Sequence, residues 1–175
     1  MKKTLVLVLT LLMLLPVVAL AEDLVTYTDP DLGFEISFPE DWTTSIGDEG
    51  MFIAVAPDYS LNFNVISIPV GESISSAQLI AELEGLSEEF AQNFEGYEAA
   101  ADGEIITIGE LEFVAFSGFY SSQGSDMQIL QLYTGIYGVV HILTFTGNTS
   151  VEGFDSDAVD ALVIEIIESF VPAKA

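Results

Sequence analysis

Apolar and polar side chains alternate in several short stretches of this 175-residue chain, and in two longer ones apolar residues recur every three or four positions. Strict alternation is the mark of a strand with one buried face; the longer spacing marks a helix with one apolar stripe. The best-defined stretch is 33–42, GFEISFPEDW. Phe34, Ile36 and Phe38 alternate there with Glu35 and Ser37, so one face of an extended segment is apolar. Pro39 removes a backbone donor and ends the strand. Trp42, the only tryptophan, follows where a large ring can plug the edge of a core. Residues 24–28 read as a shorter strand, and the Asp-Pro-Asp-Leu-Gly run at 29–33 as the turn of a hairpin.

Further along, 51–56 and 61–68 predict two more strands, the second with Leu61, Phe63, Val65 and Ser67 on one face and Pro69 as its stop. A helix then starts at Ser75. Its hydroxyl and the Gln78 side chain are spaced as a capping box. Leu79, Leu83, Leu86, Phe90 and Phe94 draw one stripe, with Gly85 counted inside the helix and Gly96 at its end. The period returns to two at 104–108, 111–120, 127–134 and 139–146. Short Gly-containing links between these segments favour antiparallel neighbours. The last of them is apolar on both faces, which predicts a central strand covered on both sides. A closing helix starts at Asp155 or Ser156 and carries Val159, Leu162, Val163, Ile166, Ile167 and Phe170 on one side. The fold class predicted is α+β: a central antiparallel sheet of about six to eight strands flanked by two main helices.

The start of the chain changes the picture. Lys2 and Lys3 precede an almost wholly apolar run at 5–15, and Ala19-Leu20-Ala21 forms a small-x-small triplet. Residues 1–21 are therefore expected to be a signal peptide cleaved after Ala21, leaving 22–175 as a single domain. The rival is an uncleaved anchor, but the run barely reaches the roughly 20 apolar residues that span a bilayer. Export implies a secreted, periplasmic or cell-envelope location, with no stable membrane insertion after cleavage. The chain has no cysteine, which excludes disulfides, thiol chemistry and a lipid on Cys.

Charge narrows the partners. Beyond residue 21 there are 28 acidic residues against Lys174 alone, a formal charge of −27, and arginine is absent throughout. Such a field repels nucleic acid and anionic membranes. It leaves no Arg or Lys clamp for phosphate or carboxylate ligands. Cation binding or a basic partner fits the charge; so does a surface adapted for solubility in salt.

Candidate chemistry is sparse. His141, the only histidine, lies mid-strand among valines and leucines and reads as a core or sheet-face residue with one hydrogen-bond partner. A serine nucleophile would need it as base and a third group to orient it. Lysine Schiff-base chemistry and the phosphate-loop motif lack their residues. Paired carboxylates are plentiful, so a carboxylate-dependent hydrolase stays open as an alternative, although abundance makes any one pair uninformative. Asp29, Asp31, Glu40 and Asp41 flank the first aromatic strand and are the candidate metal ligands for a calcium-binding extrinsic protein. Calcium would need about six to eight oxygens, and no EF-hand spacing is present.

The strand of Phe34, Ile36 and Phe38 followed by Pro39 and Trp42 resembles the start of the PsbP-like superfamily. A long helix before a four-strand meander, and a closing helix after Phe154, resemble it too. That superfamily includes PsbP, the envelope protein DcrB and a factor that binds the Ran GTPase. The resemblance covers about 24–171 and implies an α/β/α sandwich. It also implies a non-enzymatic binding or assembly role with a protein partner and no cofactor. This chain lacks the basic residues by which plant PsbP docks, and it carries no matching set of functional residues. On these grounds it is expected to be an exported, non-enzymatic binding or assembly protein of unknown partner, with weak divalent-cation binding as a further option.

Overall fold

The computed structural model describes residues 23–29, 31 and 33–173, excluding the side chain of Glu49. The expected signal peptide and Lys174 lie outside them. The hairpin read from the first aromatic strand is present. β1 (Leu24–Asp29) pairs antiparallel with β2 (Phe34–Pro39), and a two-residue strand near the chain's end adds to the other side of β2. Phe34, Ile36 and Phe38 point inward at 0–4% exposure, while Glu35 faces water, as the alternation predicts.

Beyond this hairpin the chain builds a seven-stranded antiparallel sheet. Its strands are β3 (Thr43–Ile46), β4 (Phe52–Val55), β5 (Leu61–Pro69), β6 (Glu95–Ile108), β7 (Leu111–Ser122), β8 (Ser125–Ile136) and β9 (Val139–Asn148). They lie in the order β3-β4-β5-β9-β8-β7-β6. β6 to β9 form the expected meander. β9 is the middle strand, which explains why both its faces are apolar. β3 carries no buried residue and stands at the edge. β10 (Val171–Pro172) is the short strand beside β2.

Among the described residues three α-helices, α1 (Ser76–Glu82), α2 (Leu86–Asn93) and α3 (Ser156–Glu168), accompany a short 3-10 turn at Asp48–Gly50. The capping box at the start of α1 is formed: Ser75 Oγ accepts from Gln78 N–H at 3.4 Å and Gln78 Oε1 accepts from Ser75 N–H at 3.0 Å. The single helix expected from residue 75 to 96 is instead two. Gly85 adopts φ +89 and stands as the N-cap of α2. An L side chain resists that conformation, so the glycine breaks the helix while the apolar stripe continues across the break. α3 begins with Asp155, whose carboxylate accepts from the Asp157 and Ala158 N–H groups.

One face of the large sheet packs against β1, β2 and α3, and that core holds Phe52, Phe63, Leu143, Ile166 and Trp42. Trp42 is 8% exposed with its ring 5.9 Å from that of Phe63, so it belongs to the same core as the closing helix. The other face holds a smaller core of Leu79, Phe90, Val114, Phe116, Tyr133 and Val140 under α1 and α2. The architecture is an α+β sandwich with helices on both faces of an antiparallel sheet.

Candidate functional site

The chemistry-bearing residues are positioned by the sheet. Ser67 on β5 and His141 on β9 are cross-strand partners, and Ser67 Oγ lies 2.8 Å from His141 Nδ1. The imidazole is 1% exposed, between the rings of Phe34 at 6.0 Å and Phe170 at 5.2 Å, both edge-on. Its Nε2 has no hydrogen-bond partner among the described residues. Burial pulls its pKa down to about 4, with the nearby Asp29 carboxylate acting weakly the other way. This is the core histidine with one partner that the sequence predicts. A base must reach the proton it takes from a substrate, and neither this ring nor Ser67, 9% exposed, is open to one.

The four candidate metal ligands do not converge. Asp29 and Asp31 sit at the turn end of the β1–β2 hairpin, where Asp29 pairs with Phe34. Glu40 and Asp41 follow the opposite end, where Leu24 pairs with Pro39. The length of a six-residue strand, roughly 17–20 Å, separates the two pairs. Asp29 is buried and already accepts from the Asp31 N–H at 2.9 Å and the Tyr27 hydroxyl at 3.3 Å, whereas Asp31, Glu40 and Asp41 are exposed. Among the described residues no group of three or more ligating side chains is placed to hold a metal ion.

Two open grooves among the described residues carry carboxylates. One, of about 280 Å³, lies at the β6–β7–β8 end and includes Glu98, Phe119, Asp126 and Met127. The other, of about 320 Å³, runs beside the α1–α2 break between Leu83, Gly85, Asp102 and Phe116. Each carries two carboxylates, but Asp102 is engaged by the Ser87 hydroxyl at 2.7 Å. Among the described residues no helix is long and apolar enough to cross a membrane, and none of them is Lys or Arg.

A third feature was not anticipated from sequence. On β5 the odd positions Leu61, Phe63 and Val65 are sealed, whereas Asn62, Asn64 and Ile66 on the opposite face stay partly exposed. α1 packs mainly on β7 and β8 and α2 on β6, whereas on this side of β4 and β5 Ile53, Val55, Asn62, Asn64 and Ile66 all stay partly exposed. The alternation on β5 was legible; that its second face stays open was not, because cover is set by distant helices.

No family model and no curated protein matches the chain. Solved structures do. Cyanobacterial PsbP from Synechocystis sp. PCC 6803 is 14% identical with a TM-score of 0.63, over 91% of this chain and 97% of that one. A protein from Bacteroides thetaiotaomicron VPI-5482 is 19% identical with a TM-score of 0.61 over 85% of this chain. The match spans about half that protein, 48% of its length. The Ran-binding protein Mog1p of Saccharomyces cerevisiae is 12% identical with a TM-score of 0.53, over 87% of this chain and 96% of that one. At these identities the likeness is one of fold, and the fold is PsbP-like.

Proposed function

We propose that this chain is an exported, non-enzymatic binding or assembly protein that acts through a protein partner. The observation that carries the reading is the sealing of its one histidine: the residue best suited to acid–base chemistry is buried in the core against Ser67 and two phenylalanines. The described surface, without Lys or Arg, also lacks a clamp for small anionic substrates. The fold shared with PsbP and with a Ran-binding protein agrees with a partner-binding role. In this reading residues 1–21 direct export and are removed, and 22–175 works as one domain outside the cytoplasm or in the envelope.

Two measurements test it. Intact mass of the exported protein should correspond to a chain beginning at Glu22; a species retaining Met1 to Ala21 would remove the export step from the proposal. Cross-linking of the mature form in its own envelope or medium should capture a stoichiometric protein partner. Turnover of a glycoside by the purified protein, abolished by a single carboxylate substitution, would instead establish the hydrolase.

A further inference from the structure

The open side of β3, β4 and β5 differs from the rest of the molecule in charge as well as in cover. Its central positions are Ile53 and Val55 on β4 and Asn62, Asn64 and Ile66 on β5, and none is charged. Thr146 on β9, opposite Asn62, continues the neutral face. Ile53, Val55 and Ile66 join neither core. In a chain with 28 acidic residues, a neutral sheet face with carboxylates in the turns at its strand ends has the anatomy of an interface: an uncharged centre and a charged rim. Asp48 and Asp58 lie in the turns that bound β4, and Glu72 follows β5; all three are exposed.

The dimensions select the occupant. Three to four strands at about 4.8 Å make a strip roughly 14–19 Å wide. One helix with its side chains is about 10–12 Å across. The strip therefore holds a single helix beside α1 and α2, completing the helical layer on that face. A second copy of this chain fits poorly. The strip offers only roughly 300–400 Å² on these spacings, short of the about 800 Å² per partner of a stable dimer and suited to a weak, reversible contact with one helix. Each copy would also bring its own large negative charge.

We propose that the open strip over β3, β4 and β5 is the docking site for one amphipathic helix of a protein partner, with an uncharged face against the sheet and Lys or Arg along its flanks. The proposal rests on the binding-protein reading above and names the surface and the partner's chemistry. The sheet face supplies apolar contact through Ile53, Val55 and Ile66. The Asn62 and Asn64 amides supply hydrogen bonds, and the rim carboxylates draw the basic flanks and set the helix's orientation.

The test uses the mature protein and a panel of fluorescent synthetic helices, each with a Leu/Ala stripe and lysine flanks. Scrambled and glutamate-flanked versions and a peptide of residues 4–21 serve as comparisons. Saturable binding should appear with the lysine-flanked helices only. Amide shift changes in the ¹⁵N-labelled protein should centre on Ile53, Asn64 and Ile66. Asn64→Asp should weaken binding several-fold, and Asn64→Asp with Ile66→Thr at least tenfold. Asn64→Asp is near-isosteric and Asn64 is partly exposed, so it keeps the test valid if the double variant unfolds. The proposal is overturned if no helix of the panel binds, if scrambled peptides bind equally, or if the shifts map to the groove at Leu83 and Phe116. It is equally overturned if the 4–21 peptide displaces the lysine-flanked helix, or if sedimentation reveals a dimer that Asn64→Asp breaks. A partner cross-linked elsewhere on the protein would overturn this surface while leaving the binding-protein reading intact; absence of any cross-linked partner would remove that reading itself.

Discussion

Ser67 and His141 face each other across the seam between β5 and β9, joined by a 2.8 Å hydrogen bond that spans 74 residues of sequence. The bond occupies Nδ1 and leaves Nε2 sealed among phenylalanine rings. The tautomer with the proton on Nδ1 suits the site, because it strands a lone pair rather than an N–H donor.

This pair makes stability depend on pH. The unfolded chain binds a proton on the histidine as pH falls through 6.5; the folded chain resists until about 4. The folded pKa is depressed, so its contribution is complete above 6.5 and lost as pH falls towards 4. The loss on going from pH 7.5 to 5 should be about 2 kcal/mol. Urea unfolding at the two pH values checks it, with His141→Gln as control. The variant should lose this part of the pH slope, and equal slopes in both proteins would contradict the assignment. Protonation of carboxylates relieves repulsion as pH falls and works the other way in both, so only the difference between them is diagnostic.

Trp42→Ala should cost about 3–5 kcal/mol, because the indole sits with Phe63 in the main core. Denaturant unfolding measures this directly. A cost below about 1 kcal/mol, the range of surface changes, would contradict the packing described.

Gly85→Ala separates one helix from two. Inside a continuous helix the change would stabilise by about 1 kcal/mol. At φ +89, with no atom near the added methyl, it should instead destabilise by about 1–2 kcal/mol through backbone strain alone. The sign of the shift in melting temperature decides between the two.

Several elements were legible because they carry their own signal. The β2 alternation, the four meander strands, the central position of β9 and the cap at Ser75 need only local pattern. The break at Gly85 was not visible, since the leucine stripe keeps its spacing through it and periodicity does not report φ. β3 was missed because Thr43 to Ile46 are all exposed and give no two-sided pattern. The first half of β6 was missed because three register shifts interrupt its pairing with β7. His141 was correctly read as a core residue, but its pairing with Ser67 depends on a long-range register. The separation of Asp29 and Asp31 from Glu40 and Asp41 likewise follows from the hairpin, once its strand is given a length.

Charge predicts a response to salt. With −27 on residues 22–175 and no Lys or Arg among the described ones, mutual repulsion opposes the compact state. Raising NaCl from 0.1 to 1 M shortens the screening length from about 10 Å to about 3 Å and should raise the melting temperature gradually. Calcium and magnesium should act in the same graded, non-saturating way. A saturable calcium response abolished by Asp29→Asn with Asp31→Asn would overturn this and make the hairpin turn a metal site.

The seam between β5 and β9 also fixes an order of events. The meander from β6 to β9 closes through tight turns, whereas joining β5 to β9 closes a loop that takes in both short helices and three strands. The entropy of that closure is roughly 2–3 kcal/mol greater than that of a four-residue turn. The middle of the finished sheet is therefore its kinetically latest junction, and a nascent chain should pass through a stage in which β9 is still an open edge. A chain carried across a membrane unfolded would meet that stage on the far side, with a long apolar strand awaiting its neighbour and only its own negative charge to keep other copies away.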